Sequence, residues 1–197
     1  MRVVDDFEGG FGWQADEPEF LERTSHAVLD HGKVWLFDAI DVDGLDDRVR
    51  ALGEPAGVVQ LLDRHARDST ALAKRLRVPV HVTPRGPSAV VPTVKVMWMP
   101  GWREVAAFVD GRVLVVGDAL GTASYFRAPG ELLAVQPFLR LFPPRALRGL
   151  APEHVLCGHG TGVHGRAAAE ALDEALRTAR RRIPKWLPAS MRAWRSR

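Results

Sequence analysis

Residues 58–81 read VVQLLDRHARDSTALAKRLRVPVH. An apolar run, Val58–Leu62, meets a dense polar patch of Asp63, Arg64, His65, Arg67 and Asp68. Ser69–Leu76 then turns Ala/Leu-rich, with Ser69 or Thr70 placed to cap a helix. A second β-branched run, Val78–Val82, closes the stretch. Strand, polar loop, helix, strand is the alternation of an α/β fold, and the loop sits where such folds gather ligands.

Working outward, further short apolar runs read as buried strands: Val34–Phe37, Val94–Trp98, Val105–Val109, Val113–Val116 and Val155–Cys157. Leu45, Val49 and Leu52 fall at helical spacing. Leu133–Leu150 predicts a helix broken around Pro143-Pro144. Arg166–Arg182 carries the strongest helical pattern, with Ala168, Leu172, Ala175, Leu176 and Ala179 on one face. Asp110-Gly111 marks a hairpin. Asp38, Asp63, Asp118 and His159 each lie at or near the end of a predicted strand. Carboxylates and imidazoles converging there suit a metal or acid–base chemistry, although a strand-ending Asp also serves as a turn-former or cap.

Taken in order, these pieces resemble the metallo-β-lactamase superfamily. SHAVLDHGKVWLFD (25–38) is similar to its opening hairpin, and DVDGL (41–45) starts a helix as in that family. Residues 58–81 match the segment carrying its H-x-H-x-D-H signature. MPGW (99–102) falls at its Pro-Gly-His turn, VVGDAL (115–120) at its Gly-Asp motif, and VLCGHG (155–160) at its closing Gly-His-Gly. The resemblance covers roughly residues 25–175. It implies a four-layer αββα sandwich of two mixed β-sheets flanked by helices, with residues 1–183 as the domain and 184–197 as a basic C-terminal tail.

The departures fall on the metal ligands. The first-site positions read Asp63, His65 and Trp102; the second-site positions read Arg67, Asp68 and His159; the bridging Asp is kept as Asp118. Trp102 offers only an N–H donor, and the Arg67 guanidinium has no lone pair for a metal. A cation about 4 Å from a dication is repelled by about 8 kcal/mol at an effective dielectric near 20. Arg67 is expected instead to pair with Asp68 and Asp118. The resemblance therefore implies a degenerate dinuclear site, no cofactor, and a non-catalytic protein binding a small anionic ligand or a protein partner. The alternative is a one-metal hydrolase of an ester, thioester, lactone or phosphodiester. It would hold one zinc, manganese or iron ion on Asp63, His65, Asp118 and His159, with Asp118 and His65 at the catalytic centre.

Composition is that of a globular chain, 197 residues with 46% hydrophobic and 26% charged. No apolar run reaches the roughly 18 residues of a membrane span. The acidic N-terminus lacks a leader's basic region, and the single cysteine, Cys157, leaves no internal disulfide; a cytoplasmic protein is expected. Eight of the 27 cations follow Glu174, the last acid, leaving 19 against all 24 acids up to and including it. The body is thus mildly acidic, at about −5, which argues against a nucleic-acid partner. The tail interleaves Trp186, Leu187, Met191 and Trp194 with cations. Pro184 and Pro188 restrict it to a short helix, with its tryptophans packed back on the domain or, alternatively, its apolar side on an anionic membrane or its cations on a nucleic acid. His164 and His81 read as possible substrate contacts, His81 alternatively as a core histidine; His26 and His31 read as surface residues.

Overall fold

The computed structural model describes residues 1–15, 21–86 and 91–195; from 189 onward a side chain is described only at Met191. Trp194, Arg192, Arg195 and Arg197 of the predicted tail therefore lie outside the described side chains.

The chain opens with strands β1 (Arg2–Phe7), β2 (Gly10–Gln14), β3 (Ser25–Asp30) and β4 (Lys33–Phe37), then α1 (Leu45–Leu52), β5 (Glu54–Gln60), α2 (Ser69–Leu76) and β6 (Val80–Val82). These six strands form one sheet in sequence order, antiparallel through β4 and parallel from β4 to β6. The second half contributes β7 (Thr93–Met99), β8 (Trp102–Val109), β9 (Val113–Val116), the short ribbon β10 (Leu120–Gly121) and β11 (Ala134–Val135), then β12 (His154–Cys157) and β13 (Val163–His164). Its sheet runs β13-β12-β9-β8-β7, with β12 and β9 parallel and the other pairs antiparallel. Helices α3 (Arg166–Thr178) and α4 (Ile183–Arg195) follow.

Side-chain alternation explains the layering. In β5, Val58 faces α1 and α2 and joins Leu45, Val49 and Leu72, whereas Val59 faces inward with Phe37, Val105 and Val115. In β9, Val115 points to that central layer while Leu114 and Val116 pack under Ala168, Leu172 and Leu176 of α3. Two mixed sheets packed face to face, each covered by helices on its outer side, make the αββα sandwich. Cys157 is a free thiol buried in the outer core of the second sheet.

Three local expectations change. β1 and β2 precede the predicted opening hairpin, because Asp5 is buried by partners from the far end of the chain. The helix predicted over Leu133–Leu150 is replaced by β11 and two single 3-10 turns, Pro137–Leu139 and Arg145–Leu147. Pro137, Pro143 and Pro144 each remove a backbone donor that a helix interior needs. The last helix, conversely, tolerates Pro188 inside it. Trp186 packs back as expected, its indole donating to the Tyr125 carbonyl at 2.9 Å.

Candidate metal centre

The cleft is built where β4, β5, β9 and β12 end. Asp38 follows β4 in a left-handed conformation, φ 44°, a strained backbone for a non-glycine residue. Its Oδ1 accepts the Leu61 amide at 2.8 Å, leaving Oδ2 to take His65 Nδ1 at 2.8 Å. That contact aims the other ring nitrogen, Nε2, at Asp118 Oδ1, 3.0 Å away. From the opposite wall, His159 uses Nδ1 on the Leu21 carbonyl at 2.7 Å and brings Nε2 to the same Asp118 oxygen at 2.9 Å. The Phe126 ring stacks on His159 and holds its plane. Two imidazole nitrogens and one carboxylate oxygen therefore converge within 4.8 Å of one another.

Charge follows geometry. Burial works against ionisation of Asp118, but the hydrogen bonds from His159 and His65 outweigh it and hold the carboxyl well below the usual carboxylate range. Burial likewise opposes charge on His65, yet Asp38 and Asp118 prevail and raise it to about 9. Behind Asp118 lies Glu104, fully buried and pushed up to about 7 by burial. Glu104 accepts the Trp102 indole N–H at 2.8 Å and the Ala119 amide at 2.9 Å. It is a supporting strut under the loop that carries Asp118.

The structure redistributes the residues that sequence singled out. His65, Asp118 and His159 come together. Asp63 does not join them: it turns to β8, 3.3 Å from Arg103 Nε. Asp68 is occupied elsewhere, its Oδ2 accepting the Asp41 amide. Arg67 donates to the Thr24 and Asp38 carbonyls at 2.7 Å and to the Gly158 carbonyl at 3.3 Å. The arginine beside Asp118 is instead Arg64, 3.0 Å from Oδ2, with its guanidinium 4.5 Å from the Trp102 ring centre. His164 binds Asp5 and His154, and His81 packs edge-on against Trp35, so neither lines the cleft. His26, read as a surface residue, is 1% exposed, while His31 is exposed as expected. Sequence reasoning missed Arg64, Glu104 and the second role of Asp38. Glu104 carried a readable signal, a lone carboxylate inside the apolar strand WREVAAFV.

The cleft in front of the trio has a volume of about 310 Å³ and is lined by Arg23, Arg64, Tyr125 and Gln136 along with the trio itself. The donor set fits a single ion. Imidazole and carboxylate suit zinc, manganese or iron(II), and each histidine has its second nitrogen anchored by an acceptor, the arrangement that orients metal-ligating imidazoles.

No protein-family model and no curated protein matches the sequence. Solved structures do match at the level of fold. A putative diflavin flavoprotein fragment from a Nostoc species superposes with a TM-score of 0.56 at 10% identity, covering 90% of this chain and 97% of that one. A metallo-β-lactamase from Pontibacter korlensis gives 0.51 at 11% identity, covering 89% and 98%. The DIM-1 metallo-β-lactamase gives 0.50 at 13%, covering 90% and 97%. Two mixed sheets and flanking helices agree with these neighbours: the chain has the metallo-β-lactamase fold.

Proposed function

We propose that this protein is a single-ion hydrolase, with His65, His159 and Asp118 holding one zinc, manganese or iron(II) ion. One observation carries the reading: two histidines from opposite walls present Nε2 to the same carboxylate oxygen, while acceptors fix both Nδ1 positions. Without a metal, all four ring nitrogens would have to donate to three acceptor atoms, with two of the protons meeting at one oxygen of Asp118. A dication replaces those two protons without changing the charge of the cleft. When bound, such an ion supplies Lewis acidity and brings the ionisation of water near neutral pH.

The chain's own residues do the rest. Asp38 and the Leu21 carbonyl keep both Nδ1 atoms protonated and both Nε2 atoms aimed inward. Phe126 shields the His159 face from water. Arg64, half-exposed at the mouth beside Asp118, is placed to bind a carboxylate or phosphate on the substrate. An ester, thioester, lactone or phosphodiester bearing an anionic group is the substrate class.

A second reading is a non-catalytic protein whose cleft binds a small anion. It is favoured by the way Asp118 is already satisfied, Oδ1 by two imidazoles and Oδ2 by Arg64, so that the cluster closes as an ion-pair network. Metal analysis of protein purified without chelators or a histidine tag separates the two. About one equivalent of metal, lost in Asp118→Ala, supports the hydrolase. Less than about one tenth of an equivalent, with no gain on dialysis against zinc or manganese, overturns it in favour of the metal-free network.

A further inference from the structure

The largest apolar exposure among the described residues lies outside the metal cleft. Phe138 is 83% exposed and Phe142 73%, with Leu141 beside them at 55%. They sit on the turn at Pro137–Leu139 and the bend after it, and this turn packs against the junction of α3 and α4. Arg180 Nε donates to the Leu141 carbonyl at 2.6 Å and its guanidinium lies 5.9 Å from the Phe142 ring. The buried Arg140 guanidinium stands 5.9 Å from the Trp186 ring of α4. On α4 itself, Leu187 and Met191, one helical turn apart, are both at least half exposed.

Both segments are free of acid. Residues 132–152 contain no Asp or Glu, and none follows Glu174. A hollow of about 390 Å³ beside Phe142 is lined by Arg145, Arg148, Arg177 and Arg180. Exposed cations continue through Arg181 and Lys185. The remainder of the chain up to Glu174, by contrast, carries an excess of acid. The charge of the molecule is thus polarised, and its positive pole coincides with its exposed phenylalanines.

We propose that the 137–142 turn and α4 together form a contact surface for an anionic lipid bilayer. Charge complementarity selects this occupant. A bilayer offers apolar depth to bare aromatic and aliphatic side chains and negative headgroups to the cations around them. An acidic protein would match the arginines, but Phe138 and Phe142 are nearly uncovered, at 83% and 73% exposure, without the surrounding contacts that exclude water at protein hot spots. Surface binding of this kind is peripheral. No described helix is long and apolar enough to cross a membrane.

The test is sedimentation of the full chain with phosphatidylcholine vesicles, with and without about 30% phosphatidylglycerol. The expected result is partitioning at least about ten-fold stronger onto the anionic vesicles, weakened by a similar factor when salt rises from about 0.1 M to about 0.5 M. Phe138→Ser/Phe142→Ser and Arg145→Gln/Arg148→Gln should each lower it by about ten-fold or more. All four side chains are exposed, so thermal melting should stay at the wild-type value. Equal partitioning onto neutral vesicles, or full binding by the phenylalanine variant, overturns the proposal. So does absence of vesicle binding, whether accompanied by self-association that the phenylalanine variant abolishes, by binding to single-stranded RNA, or by neither.

Discussion

The molecule holds two clusters of histidine and aspartate that look alike in composition and differ in kind. In the cleft, both nitrogens of His65 and His159 have acceptors and two of those nitrogens meet at one oxygen of Asp118. Between β1, β3 and β13 lies the other cluster. Asp5 accepts the Gly162 amide at 2.7 Å and meets His164 Nε2 at 3.1 Å through Oδ1, and His164 in turn meets His154. Its Oδ2 faces His26 Nε2 across 3.8 Å, and neither atom has a hydrogen-bond partner among the described residues. Asp5 is 4% exposed and His26 1%, so neither opens to a cleft. Gly12 has no side chain because a Cβ there would stand 2.6 Å from Asp5 Oδ2. Residue type alone therefore does not make a metal centre; convergence, anchored second nitrogens and access do.

The sharpest break of this comparison is Asp118→Ala, expected to abolish metal content and with it hydrolysis, while the same metal assay on Asp5→Asn shows no loss. Metal lost equally from both variants would erase the distinction. Next in size is Asp38→Asn, which weakens the acceptor behind His65. A ten- to hundred-fold drop in metal affinity is expected, of the order seen when outer-shell partners are removed, measured by competition with a chromophoric chelator. An unchanged affinity would show that Asp38 does not orient the ring.

The buried cluster should announce itself through pH instead. Burial lowers His26 from 6.5 to about 4, outweighing the attraction of Asp5, while Arg67 and His164 push the same way as burial and Asp38 opposes it. The folded chain thus binds this proton less readily than the unfolded chain, so stability is full above about 6.5 and falls as pH drops from there toward 4. At about 1.4 kcal/mol per unit the loss approaches 3 kcal/mol. Urea unfolding near pH 7.5 and pH 5 reads it, and His26→Asn should flatten the difference. The smallest effect belongs to the exposed network of Arg75 with Asp41 and Asp46. Arg75→Ala should change stability by less than about 1 kcal/mol, because solvent screens these charges.

Local pattern was enough for much of the fold. Leu45–Leu52 and Ser69–Leu76 are helices over the predicted residues, since their apolar spacing and their packing on β5 agree. The Asp110-Gly111 hairpin forms with positive φ at both residues, as its composition demands. β1 escaped notice because RVVDDF shows no apolar alternation; its Asp5 is held by groups some 160 residues away. In the site, His65, Asp118 and His159 were readable from strand ends and motif order. Asp63 misled because its motif position matched a ligand while its side chain follows Arg103 across to β8. The exchange of roles between Arg64 and Arg67 was hidden, since the left-handed backbone at Arg67, φ 40°, takes its guanidinium to backbone carbonyls while Arg64 reaches Asp118.

Arg67 has one more consequence. Its guanidinium ties carbonyls of Thr24 and Asp38 in the first sheet to that of Gly158 in the second. The cleft floor is therefore riveted across both halves of the sandwich, and neither half can breathe alone at that end. Amide protons of Asp38, held by the Val59 carbonyl, and of Gly158, held by Val116, belong to one cooperative unit. They should exchange with solvent at a common rate, through opening of the whole domain and not through local fraying.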